Sequence, residues 1–141
     1  MGYLSERPID PAALAAAVDA PAHGGSCTFL GTVRNRHGGR EVVELEYSAY
    51  GAMAEATIAA IVAAAEARWP VRLAVVHRVG RLQVGETAVA VVAAGAHREE
   101  AFAACRHVIE ELKRRVPIWK RERFADGTES WVDPTAEAVT P

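Results

Sequence analysis

The chain has 141 residues, a formal net charge of −2 and 50% apolar residues. These proportions suit one globular domain with a buried core and exclude a collagen-like or disordered polymer. No apolar run approaches the roughly 20 residues that span a bilayer, and Met1–Pro11 lacks the basic start and apolar stretch of a secretory signal, so a cytoplasmic protein without membrane contact is expected.

In chain order, Asp10-Pro11 followed by AALAAAV reads as a capped short helix ending near Pro21, with Asp10 as N-cap and Pro11 at the first helical position. Residues 26–34, SCTFLGTVR, form a β-branched and aromatic run. The polar stretch Asn35–Arg40 follows, and EVVELEYSAY (41–50) reads as a return strand, which together predict a hairpin with a mobile basic tip. Residues 52–68 carry Met53, Ile58, Ile61, Val62 and Ala65 at mostly helical spacing and stop at Pro70, giving a first long helix. RLAVVHRVG (72–80) and TAVAVVAAG (87–95) are valine-rich strands with a glycine-containing turn between them. Their two-sided apolar character predicts a sheet covered on both faces.

A second long helix is expected over 98–115, where Phe102, Cys105, Ile109, Leu112 and Val116 recur as one apolar stripe before Pro117. IWKRERF (118–124), the Asp126-Gly127 turn and ESWV (129–132) predict a terminal hairpin, and 134–141 reads as a loose tail. With no repeats or linkers, residues 1–141 read as one α+β domain in which two long helices pack on a mostly antiparallel sheet.

The chemistry is unusual in the kind of positive charge. Fourteen of the sixteen basic residues are arginine, and the two lysines, Lys113 and Lys120, stand seven positions apart. Lys113 comes late in the second helix, beside its apolar stripe, and Lys120 early in the next strand. A chain turn at Pro117 lets the two converge on one pocket. The competing reading of residues 98–123 is a solvated charged face with i,i+4 pairs such as Glu110 to Arg114. His97 and Arg98 stand where a strand gives way to a helix, a place hospitable to phosphate or carboxylate; a simple helix cap and a surface arginine explain them as well. Arg34, directly after the first strand run, is either a bidentate anion clamp or one more exposed arginine. Trp69 and Trp131 read as core or interface anchors, whereas Trp119 can border a planar heterocycle.

Nucleotide, phosphate-loop, zinc-protease and serine-hydrolase motifs are absent. The five histidines and the two distant cysteines form no ligand set, so no metal and no cofactor is expected, and Cys27 and Cys105 read as small buried hydrophobes.

The segments TFLGTVRN (28–35), LEYSAY (45–50), RWPV (68–71), VVHRVGRLQVGE (75–86), AHREEAFAACR (96–106) and LKRRVPIWKRE (112–122) in this order resemble the large, catalytic subunit of molybdopterin synthase, over about residues 26–133. The resemblance implies an α+β fold of the α/β-hammerhead type. It also implies a homodimer that binds a small ubiquitin-like sulfur-carrier subunit at each end, forming a heterotetramer. The implied activity is a sulfurtransferase reaction of molybdenum cofactor biosynthesis, the conversion of cyclic pyranopterin monophosphate to molybdopterin with sulfur from the carrier's thiocarboxylated C-terminal glycine. Carried over onto this sequence, the catalytic residues are Lys113 and Lys120. The substrate-binding positions are Thr32, Val33, Arg34, His97, Arg98, Lys113, Lys120, Arg121 and Glu122, some of them supplied by the second copy.

Two departures are visible. Thr32 stands where many members carry a further basic residue, and Asp133–Pro141 is short and acidic where many have a longer basic tail. Outside this family, the remaining reading is a non-enzymatic anion- or nucleic-acid-binding module using the basic 98–123 surface. The net charge and the lack of an aromatic-bearing basic sheet weigh against nucleic acid.

Overall fold

The computed structural model describes residues 2–132; the predicted tail at 134–141 lies outside them. Helix α1 (Pro11–Val18) starts where expected, with the Asp10 carboxylate accepting from the Ala12 and Ala13 N–H groups. Helix α2 (Gly51–Arg68) ends at Trp69, before Pro70. Helix α3 (Arg98–Arg115) carries Glu99 and Glu100 in its first turn and Lys113, Arg114 and Arg115 in its last, charges that complement the helix dipole. Among the described residues, no helix is long and apolar enough to cross a membrane.

The strands divide between two sheets. The first has the order β1 (Leu4–Ser5), β5 (Val71–Arg78), β7 (Thr87–Gly95), β2 (Gly25–Thr32), in which only the β1–β5 pair is parallel. Residues 88–95 of β7 are all buried. The two-sided apolar pattern has a direct cause: one face packs against α2 and α3 through Val89, Val91 and Ala93, and the other against α1 through Val92 and Ala94. The second sheet has the order β3 (Arg36–His37), β4 (Arg40–Ala49), β8 (Ile118–Phe124), β9 (Glu129–Val132), with β6 (Gly80–Gln83) also on β4. Val42, Leu45, Leu82 and Phe124 form its core with Val33 and Ala88. The expected terminal hairpin is β8–β9.

The expected hairpin between 26–34 and 41–50 does not form. β2 pairs with β7, from Gly25 opposite Gly95 to Thr32 opposite Thr87, and β4 pairs with β6 and β8. A strand apolar at every position must be internal and needs a neighbour on each edge, which β2 and β5 supply. β4, charged at Glu41, Glu44 and Glu46, belongs in a sheet with one wetter face. Only Arg36–His37 and Arg40–Glu41 pair locally, across Gly38 and Gly39, whose positive φ values of 60° and 78° close a two-residue turn. The turn is also fastened. Arg40 bonds Asp126 and Thr128 and stacks 3.7 Å above the Phe124 ring, which replaces the expected mobile tip with an anchored one.

The α3 stripe is offset from the predicted one. Ala101, Ala104, Cys105, Val108, Ile109 and Leu112 are buried, whereas Phe102 is 60% exposed. Small residues at 101 and 104 let the helix approach the sheet closely, and the bulky Phe102 is left at the margin.

Candidate active site

A cavity of about 240 Å³ opens where the two sheets meet the last turn of α3. Strand alternation builds much of its wall. In the β4–β8 register Tyr47 faces Lys120 and Leu45 faces Glu122, so Leu45, Tyr47, Ile118, Lys120 and Glu122 lie on one face of the second sheet and line the cavity. Lys113 enters from α3, beside Ile109, Leu112 and Val116. The end of β2 brings Thr32, Val33 and Arg34, and β3 adds Arg36 and His37.

Local backbone geometry holds these groups. The β2–β7 register shifts between Gly31 and Thr32, and beyond it the Val33 N–H donates to the Glu86 carbonyl (2.9 Å) while Gly85 N–H donates to the Val33 carbonyl (2.9 Å). Gly31 is needed there, because a Cβ at that position would lie 2.7 Å from Val89 Cγ1.

Lys113 and Lys120 thus do line one cavity, on opposite sides of the turn at Pro117, together with Thr32, Val33, Arg34 and Glu122. Glu122 is 3% exposed and its Oε1 lies 2.5 Å from His37 Nδ1. Three predicted site residues are placed elsewhere. Arg121 falls on the opposite face of β8, where it pairs with Glu46 and Glu129 and lies 5.6 Å from the Trp131 ring centroid. His97 and Arg98 are at the far end of α3, about 24 Å from Lys113 along the axis at ~1.5 Å per residue. Both are exposed, with His97 Nδ1 3.8 Å from Glu100. One copy of the chain cannot bring these two residues to its own cavity.

The tryptophans also sort by face. Trp119 projects away from the cavity and meets Tyr50 edge-on at 4.8 Å. Trp69 packs on the core and against His107 at 5.1 Å, whereas Trp131 is 61% exposed rather than anchored. The cations of 98–123 do not make an uninterrupted basic surface: Arg106 pairs with Glu110, Arg114 and Arg115 with Glu111, and Arg121 with Glu46. Cys105 is buried and Cys27 half-buried. Burial, reinforced by the neighbouring Cys27, pushes the Cys105 thiol up to about 12. A thiol so unwilling to ionise is no nucleophile.

Four polar cavity residues escape the sequence argument: Arg36, His37, Tyr47 and His77. His37 lies in the stretch read as a mobile tip, and its contact with Glu122 spans 85 positions, beyond any local pattern. Tyr47 and His77 occupy strands of different sheets, yet their rings meet edge-on at 5.0 Å. The accessible signal was alternation in residues 118–124, which assigns Lys120 and Glu122 to one face and Arg121 to the other.

Comparison with known proteins identifies relatives of this arrangement. The family model described as MoaE protein matches residues 4–115. The molybdopterin synthase catalytic subunit of Nostoc sp. is 43% identical over 131 residues, covering 92% of this chain and 79% of the relative. Catalytic subunit 1 of the same enzyme from Mycobacterium tuberculosis is 43% identical over 130 residues, covering 92% and 88%. The crystal structure of molybdopterin synthase from Staphylococcus aureus superposes with a TM-score of 0.88 at 32% identity, covering 93% of this chain and 96% of that one. A complex of subunits 1 and 2 of the molybdopterin-converting factor from Helicobacter pylori shares the fold, with a TM-score of 0.67 at 23% identity over 79% and 73% of the two chains.

Proposed function

The chain belongs to the MoaE family, that of molybdopterin synthase catalytic subunits, and from that premise we propose that it converts cyclic pyranopterin monophosphate to molybdopterin with sulfur from a thiocarboxylated carrier subunit. The observation that carries this reading is the convergence of Lys113 and Lys120, the only two lysines of the sequence, on one cavity. The carrier's C-terminal glycine enters that cavity. The two ammonium groups polarise its thiocarboxylate carbonyl and stabilise the oxyanion that develops as sulfur is transferred. Because the sulfur arrives on the carrier, no cysteine of this chain has to act, in keeping with the buried, high-pKa Cys105.

Arg34, with Thr32 and Val33 beside it, holds the substrate phosphate, and Glu122 orients the groups around Lys120. His97 and Arg98 serve the cavity of a second copy, since α3 separates them from their own. On this reading a homodimer forms the centre of a heterotetramer, a cytoplasmic assembly with one carrier at each end. The complex of two subunits seen for the Helicobacter pylori protein is consistent with a small-subunit partner. Arg121, turned away by the alternation of β8, acts at most on the carrier or the sheet and not inside the cavity.

The test combines the purified protein, a thiocarboxylated carrier and cyclic pyranopterin monophosphate, and follows the dithiolene product. Product from the wild-type chain that disappears in Lys113→Ala and Lys120→Ala supports the reading. A folded wild-type chain that binds the carrier and forms no product refutes it.

A further inference from the structure

Among the described residues two charged side chains are buried, Glu122 at 3% exposure and Arg78 at 6%. Glu122 lines the cavity. Arg78 does not, and the sulfur-transfer reading gives it no task. A guanidinium shut away from water is costly unless acceptors meet its N–H groups, so the position of those acceptors shows what the residue holds. Arg78 ends β5, where the chain leaves the first sheet and passes through Val79 to β6 of the second. Its Nη2 donates to the Glu6 carbonyl just beyond β1 (3.3 Å), and its Nη1 donates to Glu86 Oε1 (3.4 Å).

Glu86 in turn closes the connection between β6 and β7. Its Oε2 accepts from the Gln83 N–H (2.6 Å) and its own N–H donates to the Gln83 carbonyl (3.1 Å), while Gly85 between them takes a left-handed φ of 93°. The outer side of this turn carries Val33 by both of its backbone groups. Glu86 accepts from the Val33 N–H, and the Gly85 N–H donates to the Val33 carbonyl, which belongs to the peptide unit leading into Arg34. β2 has already ended at Thr32, so beyond that point the turn takes over from the strand ladder. A chain of contacts therefore runs from the buried guanidinium through Glu86 to the segment Thr32–Arg34 in the cavity wall.

We propose that Arg78, acting through Glu86, is a positioning residue for Arg34: the pair fixes the turn that carries Val33, and with it the place of the Arg34 side chain in the cavity. The purpose rests on the sulfur-transfer reading, in which Arg34 holds the substrate phosphate. The placement of Val33 does not rest on it. A planar fork recognises phosphate through paired hydrogen bonds, so displacing it weakens substrate binding and leaves the sulfur transfer performed at the lysines largely intact.

Two variants test the pair from either end. Glu86→Gln keeps an oxygen for the Gln83 N–H and removes the charge that draws Arg78. Arg78→Met fills the same buried space without a charge and leaves Glu86, whose side chain is 37% exposed, in reach of water. In both, KM for cyclic pyranopterin monophosphate is expected to rise about 5- to 10-fold, with kcat and the KM for carrier changed by less than about twofold, the pattern of lost ground-state binding. Introduced into Arg34→Ala, neither substitution should add more than about twofold, because the residue through which they act is gone. An equal increment in both backgrounds, or a fall in kcat and carrier binding instead, is what a merely structural pair would give, and either overturns the proposal.

Amide hydrogen exchange supplies a readout without substrate. In folded Glu86→Gln and Arg78→Met the Val33 N–H is expected to exchange about tenfold faster than in the wild type, and to gain more than the Val91 N–H in the middle of β7, the internal control for global stability. A Val33 amide that does not move, or moves only as far as that of Val91, overturns the proposal. A wild-type chain that makes no product overturns the sulfur-transfer reading instead. Titration with inorganic phosphate, followed at the Thr32–Arg34 amides, then replaces KM: binding weaker by about fivefold in the two variants supports the positioning role, and binding equal to the wild type refutes it.

Discussion

His37 Nδ1 and Glu122 Oε1 lie 2.5 Å apart, joining the anchored turn after β2 to the buried carboxylate of β8. With Glu122 only 3% exposed, removing its partner leaves a carboxylate out of reach of full hydration. His37→Ala is therefore expected to destabilise the fold by about 1–2 kcal/mol. In a double-mutant cycle with Glu122→Ala, the two residues should show a coupling of about 1 kcal/mol. Urea denaturation of the four proteins measures both, and additive effects would mean that the contact contributes nothing.

Lys113→Ala and Lys120→Ala should separate activity from stability. Neither ammonium is part of an apolar core cluster, so the unfolding midpoint in urea is expected to remain near that of the wild type. Sulfur transfer should drop by about 100-fold or more in each, the usual scale for removing a group that stabilises a developing oxyanion. Parallel product assays and denaturation curves check the separation; a loss of activity matched by a loss of fold would undo it.

Acid should weaken the protein through His77. The folded pKa, about 4, lies below the ordinary value of 6.5, so between these values the unfolded chain binds the extra proton. The stabilisation is complete above about pH 6.5 and is lost as pH falls towards 4, amounting to about 3 kcal/mol over that window. Carboxylates titrate in the same range, so the informative quantity is the difference from His77→Gln. The stability of the wild type should fall more steeply than that of the variant between pH 6.5 and 4.5, by close to one proton. Parallel slopes would contradict it.

Gly31→Ala tests the close approach of β2 to β7. A Cβ at 2.7 Å from Val89 Cγ1 forces a stiff, β-branched side chain or the strand to shift. A loss of about 1–3 kcal/mol is expected from such overpacking. Because the strand shift propagates into Thr32–Arg34, KM for the phosphate-bearing substrate should rise as well. Gly31→Ala combined with Val89→Ala should recover much of the strain, and failure to recover would place the cost elsewhere.

The elements were legible because their signals are local. Pro11, Pro70 and Pro117 punctuate the helices, and the valine run of β7 announces a strand covered on both faces. Strand partners were less so. Nothing within Ser26–Ala49 says that β2 pairs with a strand some sixty residues later, because a run of β-branched residues records burial and not the identity of its neighbour. The same division holds at the site. Lys113 and Lys120 stand out by composition and by the turn between them, but the contacts of His37 with Glu122 and of His77 with Tyr47 arise from the meeting of two sheets and have no sequence period. Arg121 is a simpler case: the resemblance carries it over with Lys120 and Glu122, and strand parity turns it to the other face of β8.

Both side-chain amines of this chain sit in one cavity. For any chemistry aimed at lysine, whether acetylation, an amine-reactive dye, a crosslinker or coupling to an activated resin, the lining of that cavity is the only side-chain target the protein offers. Labelling in the absence of carrier would then be equivalent to inactivation. A carrier tail seated between the amines would act as a protecting group, and handles for immobilisation would have to be introduced at arginines such as Arg106 on the outer face of α3.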